Sequence, residues 1–447
     1  MPIIYRDEYL RKQFLNDILS TSIETPDFYN ENKDLYLSCL ENSSAKIDNL
    51  AIKSFFHPYI LSDSEFNWIK EKTETLWSIL EKTAGLLLTE KEIRDFFDFP
   101  AELIELLQVD PKYSINVPIT RFDAFYNGDK SLYFCEFNAD GTSGMNETNT
   151  MEECFLGTEM GKNLVNKYSL SQCELRKSLL NTLLENYRFF GVSDKPTIAI
   201  VDFMDKATIA EFEALKDAFI KEGYDTIICD IRNLSYKESR LWFNEKNIDL
   251  VYRRAVTSDI LARYDEVQEF IKAYKNNAFC IVGSFRSEAA HSKLVFTFLT
   301  SETAKKFFSH EEIDFLKTHL PKTSKLVSSN AALAFELFSQ REKYLIKPHN
   351  SYGGQGLYIG KDCSLEEWQN IIEQNTDKNY IVQEVINIPQ GEIVISQGTA
   401  QKLKVNLSPY LFNGKLKGFY TRVSTIDVIT TSLGGALIPT FIQKPVL

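Results

Sequence analysis

The chain has 447 residues, 44% hydrophobic and 25% charged, the make-up of an ordinary globular protein of two or three domains. Its formal net charge of −12 excludes a basic nucleic-acid-binding face, although a few lysines around a divalent cation can still make one pocket positive. Seven dispersed cysteines, at positions 39, 135, 154, 173, 229, 280 and 363, include no Cys-x-x-Cys pair. They predict reduced thiols, with neither a disulfide framework nor a zinc site. The first residues carry no signal-peptide pattern, and no apolar run nears the roughly 18 residues of a membrane span. A cytoplasmic protein with no membrane or nucleic-acid partner is therefore expected.

Residues 1–110 read as a helical N-terminal region, with apolar residues at helical spacing over 66–82 and 90–107. The segment 120–140 says the most. Two alternating stretches flank Asn127-Gly128, a hairpin signal. Side chains alternate between faces along a strand. A loop of two or four residues then sets Arg121, Asp123, Glu136 and Asn138 on one face, and a four-residue loop places Glu136 opposite Arg121. The other face would carry Phe122, Ala124, Tyr133, Cys135 and Phe137, a set suited to a core. Two carboxylates and an amide oxygen beside an arginine form the hard-oxygen cage that holds Mg2+ against phosphates. The plain alternative is a surface hairpin with cross-strand ion pairs.

A helical stretch follows from 142 to about 187. From 195 the texture changes to short apolar strands at 197–201, 226–229, 248–252 and 278–282, with helices at 210–222 and between the last two strands. That alternation predicts a doubly wound, Rossmann-like parallel sheet over 195–290. Its Gly-x-Gly-x-x-Gly fingerprint is missing, which argues against a dinucleotide there. Arg253 and Arg254 fall at the carboxyl edge of this sheet, where a substrate carboxylate could bind.

The last portion, 291–447, carries a strand ending on Lys347-Pro348 and then the turn residues Ser351, Gly353, Gly354 and Gly356. Glycines let backbone N–H groups approach phosphate oxygens closely, and Lys347 supplies a charge. The Walker A pattern is absent. Gln383-Glu384 closes another apolar run, where a strand edge with a polar pair suits an adenine and its ribose. Arg422 follows a second hairpin signal, Asn413-Gly414.

Together these residues resemble the circularly permuted ATP-grasp ligases of the glutathionylspermidine synthase-like branch. Arg121-Phe122-Asp123 and Glu136-Phe137-Asn138 stand in the order and spacing of that branch's metal segment. Lys293 in His291-Ser292-Lys293 is similar to its first ATP lysine, and Lys347-Pro348 with Gly353, Gly354 and Gly356 to its second. Gln383-Glu384 is similar to the adenine hinge and Arg422 to a C-terminal arginine. The likeness spans roughly 115–430. It departs after Asn138, where 139–144 is glycine-containing in place of a Thr-Pro-Thr stretch.

The resemblance implies a mixed α/β ATP-grasp fold. Residues 111–194 would form its metal-binding part, 195–290 a preATP-grasp domain and 291–447 the nucleotide-binding portion. It implies ATP and Mg2+ as cofactors, Asp123, Glu136 and Asn138 as metal ligands, and Arg121 and Arg422 as catalytic arginines. The implied reaction joins a small-molecule or peptide carboxylate to an amine through an acyl phosphate. A kinase of a small hydroxyl substrate and a non-catalytic nucleotide-binding protein are the alternatives.

Overall fold

Local chemistry sets the boundaries of the N-terminal helices. The computed structural model describes residues 3–47, 50–128, 130–191, 194–350 and 355–445. Pro26 opens the helix Pro26–Glu41, at a position where a missing N–H costs no hydrogen bond. Asp63–Thr89 starts from a capping box: Ser62 Oγ accepts from Glu65 N at 3.1 Å, and Glu65 Oε2 accepts from Ser62 N at 3.0 Å. Its buried stripe, Ile69, Leu76, Leu80 and Leu87, follows the helical period. The helix expected over 90–107 is two helices, Lys91–Phe97 and Ala101–Gln108. Asp98 at φ 51° closes the first, and Pro100, which cannot continue a helix, precedes the second.

One cysteine expectation fails. Cys39 and Cys154 form a disulfide with Cα atoms 5.7 Å apart, joining Pro26–Glu41 to the helix Met145–Gly157. The pair is 115 residues apart in sequence, so only the packing of the two helices brings it together. Cys135, Cys173, Cys229, Cys280 and Cys363 are free thiols. Among the described residues, no helix is long and apolar enough to cross a membrane.

Cys280–Val282, Leu250–Arg253, Ile198–Asp202 and Thr226–Asp230 form a four-stranded parallel sheet in that spatial order. Every residue of the two inner strands, Leu250–Arg253 and Ile198–Asp202, and of the edge strand Cys280–Val282 is buried, as expected of strands covered on both faces. The connection from Thr226–Asp230 to Leu250–Arg253 is an antiparallel meander, Ser235–Lys237, Arg240–Phe243 and Lys246–Ile248.

A larger antiparallel sheet runs Ala436–Ile438, Lys415–Ser424, Thr399–Phe412, Ile119–Tyr126, Leu132–Asn138, with Gln390–Ser396 also paired to Thr399–Phe412. The 120–140 hairpin thus shares a sheet with the C-terminal strands. A smaller sheet, Thr323–Lys325, Tyr380–Glu384, Tyr344–Pro348 and Tyr358–Ile359, stands beside it.

The hairpin register differs from expectation. Tyr126 pairs with Leu132, so the loop has five residues, 127–131, and Cys135 is an extra residue bulged out between Glu136 and Phe134. An odd loop alone would slip one strand onto the wrong face, and the bulge restores the alternation. Without it Glu136 would oppose Phe122 on the core side. With it Glu136 faces Asp123, and Asn138, not Glu136, faces Arg121. The core face carries Phe134 in place of Tyr133 and Cys135, and Tyr133 is 37% exposed.

Candidate active site

Four strands of the large sheet present one polar face. Asp123 lies opposite Glu136, and Asn138 is two residues on, on the same face as Glu136. Arg422 reaches Asp123 from the strand Lys415–Ser424, with Nη2 2.5 Å from Oδ2. Asn138 Nδ2 donates to Asp123 Oδ1 at 3.3 Å, and Arg121 Nε lies 3.5 Å from that same oxygen. Arg121 also donates to Ser143 O at 2.8 Å and lies over the ring of Tyr420.

Sequence reasoning missed two members of this face, Asn406 and Ser408. Asn406 Oδ1 accepts from Arg422 Nε at 3.1 Å and Nη2 at 2.7 Å, and Ser408 Oγ donates to Asp123 Oδ1 at 3.2 Å. Both are buried. Their signal was available: the polar residues Lys404, Asn406 and Ser408 alternate with Val405 and Leu407 and so share a strand face.

The smaller sheet and a helix start bring the lysines. Lys293 Nζ pairs with Glu136 Oε1 at 2.9 Å, just before the helix Leu294–Leu299. Lys347 Nζ donates to the bulged Cys135 O at 3.1 Å and to Gln383 Oε1 at 2.9 Å. The bulge therefore does two things: it keeps Glu136 on the polar face and aims a carbonyl at Lys347. Lys293 is 7% exposed and Lys347 6%. Burial would raise the Glu136 carboxyl, but the two ammonium groups override it and hold it down at about 2. Burial likewise pushes Lys347 down, against the pull of Glu136.

Lys293, Lys347, Arg121 and Arg422 thus gather around Asp123 and Glu136 at one seam, leaving it locally positive within an acidic chain. The carboxylates of Asp123 and Glu136 and the amide oxygen of Asn138 are hard donors that fit Mg2+. The arrangement can neutralise and position a polyphosphate.

Gln383 and Glu384 are neighbours on one strand and so point to opposite faces. Gln383 joins Lys347, and its Nε2 donates to Thr323 Oγ1 at 3.0 Å. Glu384 instead sits 3.4 Å from Lys322 N. Gly356 has φ +69°, and an added Cβ would meet Pro348 Cγ at 2.9 Å, so the turn after Lys347-Pro348 requires glycine there. Ser351, Gly353 and Gly354 lie outside the described residues.

Arg253 and Arg254 are not open to solvent as a surface pair would be. Arg253 is 1% exposed, and every N–H of its guanidinium is engaged: by Asp140, by the carbonyls of Gly283, Ala255 and Ser284, and by Thr257 Oγ1. It has no donor left for a substrate carboxylate, which corrects that expectation. Asp140, Glu288 and His291 cluster behind Asn138, but the Arg253 guanidinium already supplies the cation that this group would otherwise attract. Arg254 pairs with Glu211 at 2.9 Å.

The whole chain matches a solved structure of a glutathione synthetase like-effector from Globodera pallida, over 99% of each chain, with a TM-score of 0.60 at 11% identity. The fold is an ATP-grasp fold. Weaker likenesses are to a Methylobacillus flagellatus protein assigned as a γ-glutamylcysteine synthetase (TM-score 0.42, 10% identity, 82% of this chain and 88% of that one) and to the ATP-grasp ligase PsnB complexed with minimal precursor (0.32, 10%, 55% and 89%). No family model matches the sequence, and no curated protein matches it. In this ATP-grasp fold the seam between the large and small antiparallel sheets is where Asp123, Glu136, Asn138, Lys293, Lys347 and Arg422 converge.

Proposed function

We propose that the protein is an ATP- and Mg2+-dependent ligase that joins a carboxylate to an amine through an acyl phosphate. The observation that carries this reading is the seam itself. Two buried lysines and two arginines converge on a carboxylate pair and an amide oxygen. That is the charge inventory for a triphosphate with its metal.

Mg2+, when bound, offsets the charge of the phosphate oxygens, and Asp123, Glu136 and Asn138 are the residues that would hold it. Lys293 and Lys347 grip phosphate oxygens. Gln383 keeps Lys347 aimed, since its Oε1 already accepts from that ammonium. A substrate carboxylate oxygen attacks the γ-phosphorus, the bond to the bridging oxygen breaks, and ADP leaves. Arg422 and Arg121 offset charge on the transferring group, with Asn406 and Asp123 fixing the guanidinium of Arg422. The amine then attacks the acyl carbon and inorganic phosphate leaves. No side-chain nucleophile is required. The glutathionylspermidine synthase-like, permuted branch is the finer placement, supported by the metal hairpin preceding both lysines in the chain. A peptide or small-molecule carboxylate and an amine are its substrates.

The test is ADP release by the purified protein with Mg2+-ATP, pooled dipeptides as carboxylates, and pooled amino acids and polyamines as amines. Asp123→Asn and Glu136→Gln should each remove turnover while leaving the melting temperature within a few degrees. Turnover that survives both changes overturns the metal assignment. A phosphorylated product in place of an amide identifies a kinase.

A further inference from the structure

The helix Met145–Gly157 begins beside the seam, and its first turn is built unusually. Gly144 caps it, so Glu147 stands at the third helical position. A glutamate there ordinarily reaches back to accept from the capping N–H. Here Glu211 does that work from another helix: its Oε1 accepts from Gly144 N at 2.8 Å and Met145 N at 3.0 Å. Glu147 is thereby released from capping. It is 3% exposed, and its Oε2 has no hydrogen-bond partner among the described residues.

A second buried atom is also unpartnered, Nε of Arg254, whose charge bears on Glu147. Arg254 gives Nη1 to Glu211 and Nη2 to Thr208, which leaves Nε over. The charges of Glu147 and Arg254 bear on each other, yet the two free atoms do not meet. A buried carboxylate oxygen and a buried guanidinium N–H left without partners cost free energy unless water or a polar group of a ligand satisfies them. Arg121 also bears on Glu147, and it contacts both Asp123 and Ser143, so the first turn of this helix adjoins the metal-binding face.

We propose that this turn is the acceptor subsite, and that it takes a primary amine carrying its own carboxylate, an amino acid or a peptide amine. The inference rests on the ligase reading. Glu147 holds the amine and receives its proton; Arg254 Nε holds the acceptor's carboxylate. In the second half-reaction the amine lone pair forms the C–N bond. The acyl C–O bond breaks, and inorganic phosphate leaves with that electron pair. The N–H proton passes to Glu147 Oε2 and then to solvent. Burial with Glu211 alongside pushes the Glu147 carboxyl up to about 8, against the pull of Arg254 and Arg121, which poises it for proton transfer near neutrality. Tyr420 also faces it, and burial raises that phenol so that it stays neutral.

Hydroxylamine separates the steps, because it captures an acyl phosphate as a hydroxamate without help from an amine site. The full chain is assayed with Mg2+-ATP and pooled dipeptides, adding hydroxylamine, an amino-acid pool or a polyamine pool. In wild type, amide should form with amino acids and not with polyamines, and its rate should rise with pH through about 8. In Glu147→Gln the ratio of amide to hydroxamate should fall by about 100-fold, a general-base-sized loss, and the pH rise should vanish. Glu147→Asp should recover part of both. Arg254→Gln should raise the KM for the amino acid more than it lowers kcat.

No hydroxamate from wild type means that the ligase reading fails and the subsite's role falls with it. Hydroxamate with an unaltered amide ratio in Glu147→Gln overturns the subsite alone. Equal loss of hydroxamate and amide with a lowered melt makes Glu147 structural and also overturns it. Amide formed with polyamines and not with amino acids overturns the assignment of Arg254.

Discussion

At the residue scale, the candidate site is held by partners that touch one another more than they touch solvent. Asn406 shows how. It accepts twice from Arg422 and donates to Ala124 O at 3.2 Å, so it ties the arginine to the strand of Asp123. Removing it leaves a nearly buried guanidinium short of an acceptor. Asn406→Ala should lose about 1–3 kcal/mol of stability and lower ATP turnover by roughly tenfold or more. Thermal melts and ADP release on the same preparation check both. Lys347→Met gives a different signature. Glu136 loses one of the two ammonium groups that hold its carboxyl down, so that carboxyl should titrate higher. NMR titration of the Glu136 side chain should register the upward move, and an unmoved carboxyl would show that Lys293 alone sets it. Individual residues of this kind were legible where their type is rare in a strand. Asp123, Glu136 and Asn138, with Arg121, are polar positions in hairpin strands whose other residues are mostly apolar. Glu147 and Glu211 were not legible, since a glutamate in a first helical turn is the commonest of surface features.

At the element scale, two devices position the site. The bulge at Cys135 corrects a five-residue loop, and the disulfide anchors the helix that carries Glu147. The loop length escaped sequence reading because Asn127-Gly128 signals a turn without fixing how many residues it spans. Deleting Cys135 should leave Glu136 opposite Asp123 in an unbulged ladder but remove the carbonyl that Lys347 donates to, and turnover should fall, whereas Cys135→Ala keeps the bulge and that carbonyl and should retain turnover, as measured by ADP release. The Cys39–Cys154 bond closes a long loop, which by chain entropy contributes about 2–4 kcal/mol. Reductant should lower the melting temperature of the wild type by several degrees. Cys39→Ala should melt at the reduced value with or without reductant, and a variant still sensitive to reductant would assign the effect to another thiol.

At the scale of the whole molecule, the buried carboxyls set how stability depends on pH. Burial raises Asp202 to about 6 and Glu147 to about 8, and raises Glu152 and Glu288 well above the carboxylate range. Each binds its proton more tightly folded than unfolded. The stability each contributes is complete below the unfolded value of about 4 and is withdrawn as pH climbs through the folded value. Glu136, held down at about 2 by Lys293 and Lys347 despite burial, works the other way, and its contribution is lost only as pH falls below about 4. Burial lowers His57, His291, His319 and His349, whose contribution grows as pH rises to about 7, so the melting temperature should decline from about pH 7 to 9, and Glu147→Gln should flatten part of that decline. A melting temperature that rises over that range would contradict these environments. The same scale separates what the chain alone determined from what folding decided. Alternating apolar strands and helices over 195–290 specify a parallel sheet, because burial on both faces writes itself into composition. The Arg-x-Asp and Glu-x-Asn spacings and Lys347-Pro348 with Gly356 are the local signals on which the proposed phosphate site rests, because charge, hard oxygens and backbone access are needed for that chemistry. Register, the disulfide and the pairing of Glu211 with the Gly144 turn depend on residues far apart in the chain. Those contacts exist only once loop closure has been offset by packing, so no local pattern carries them.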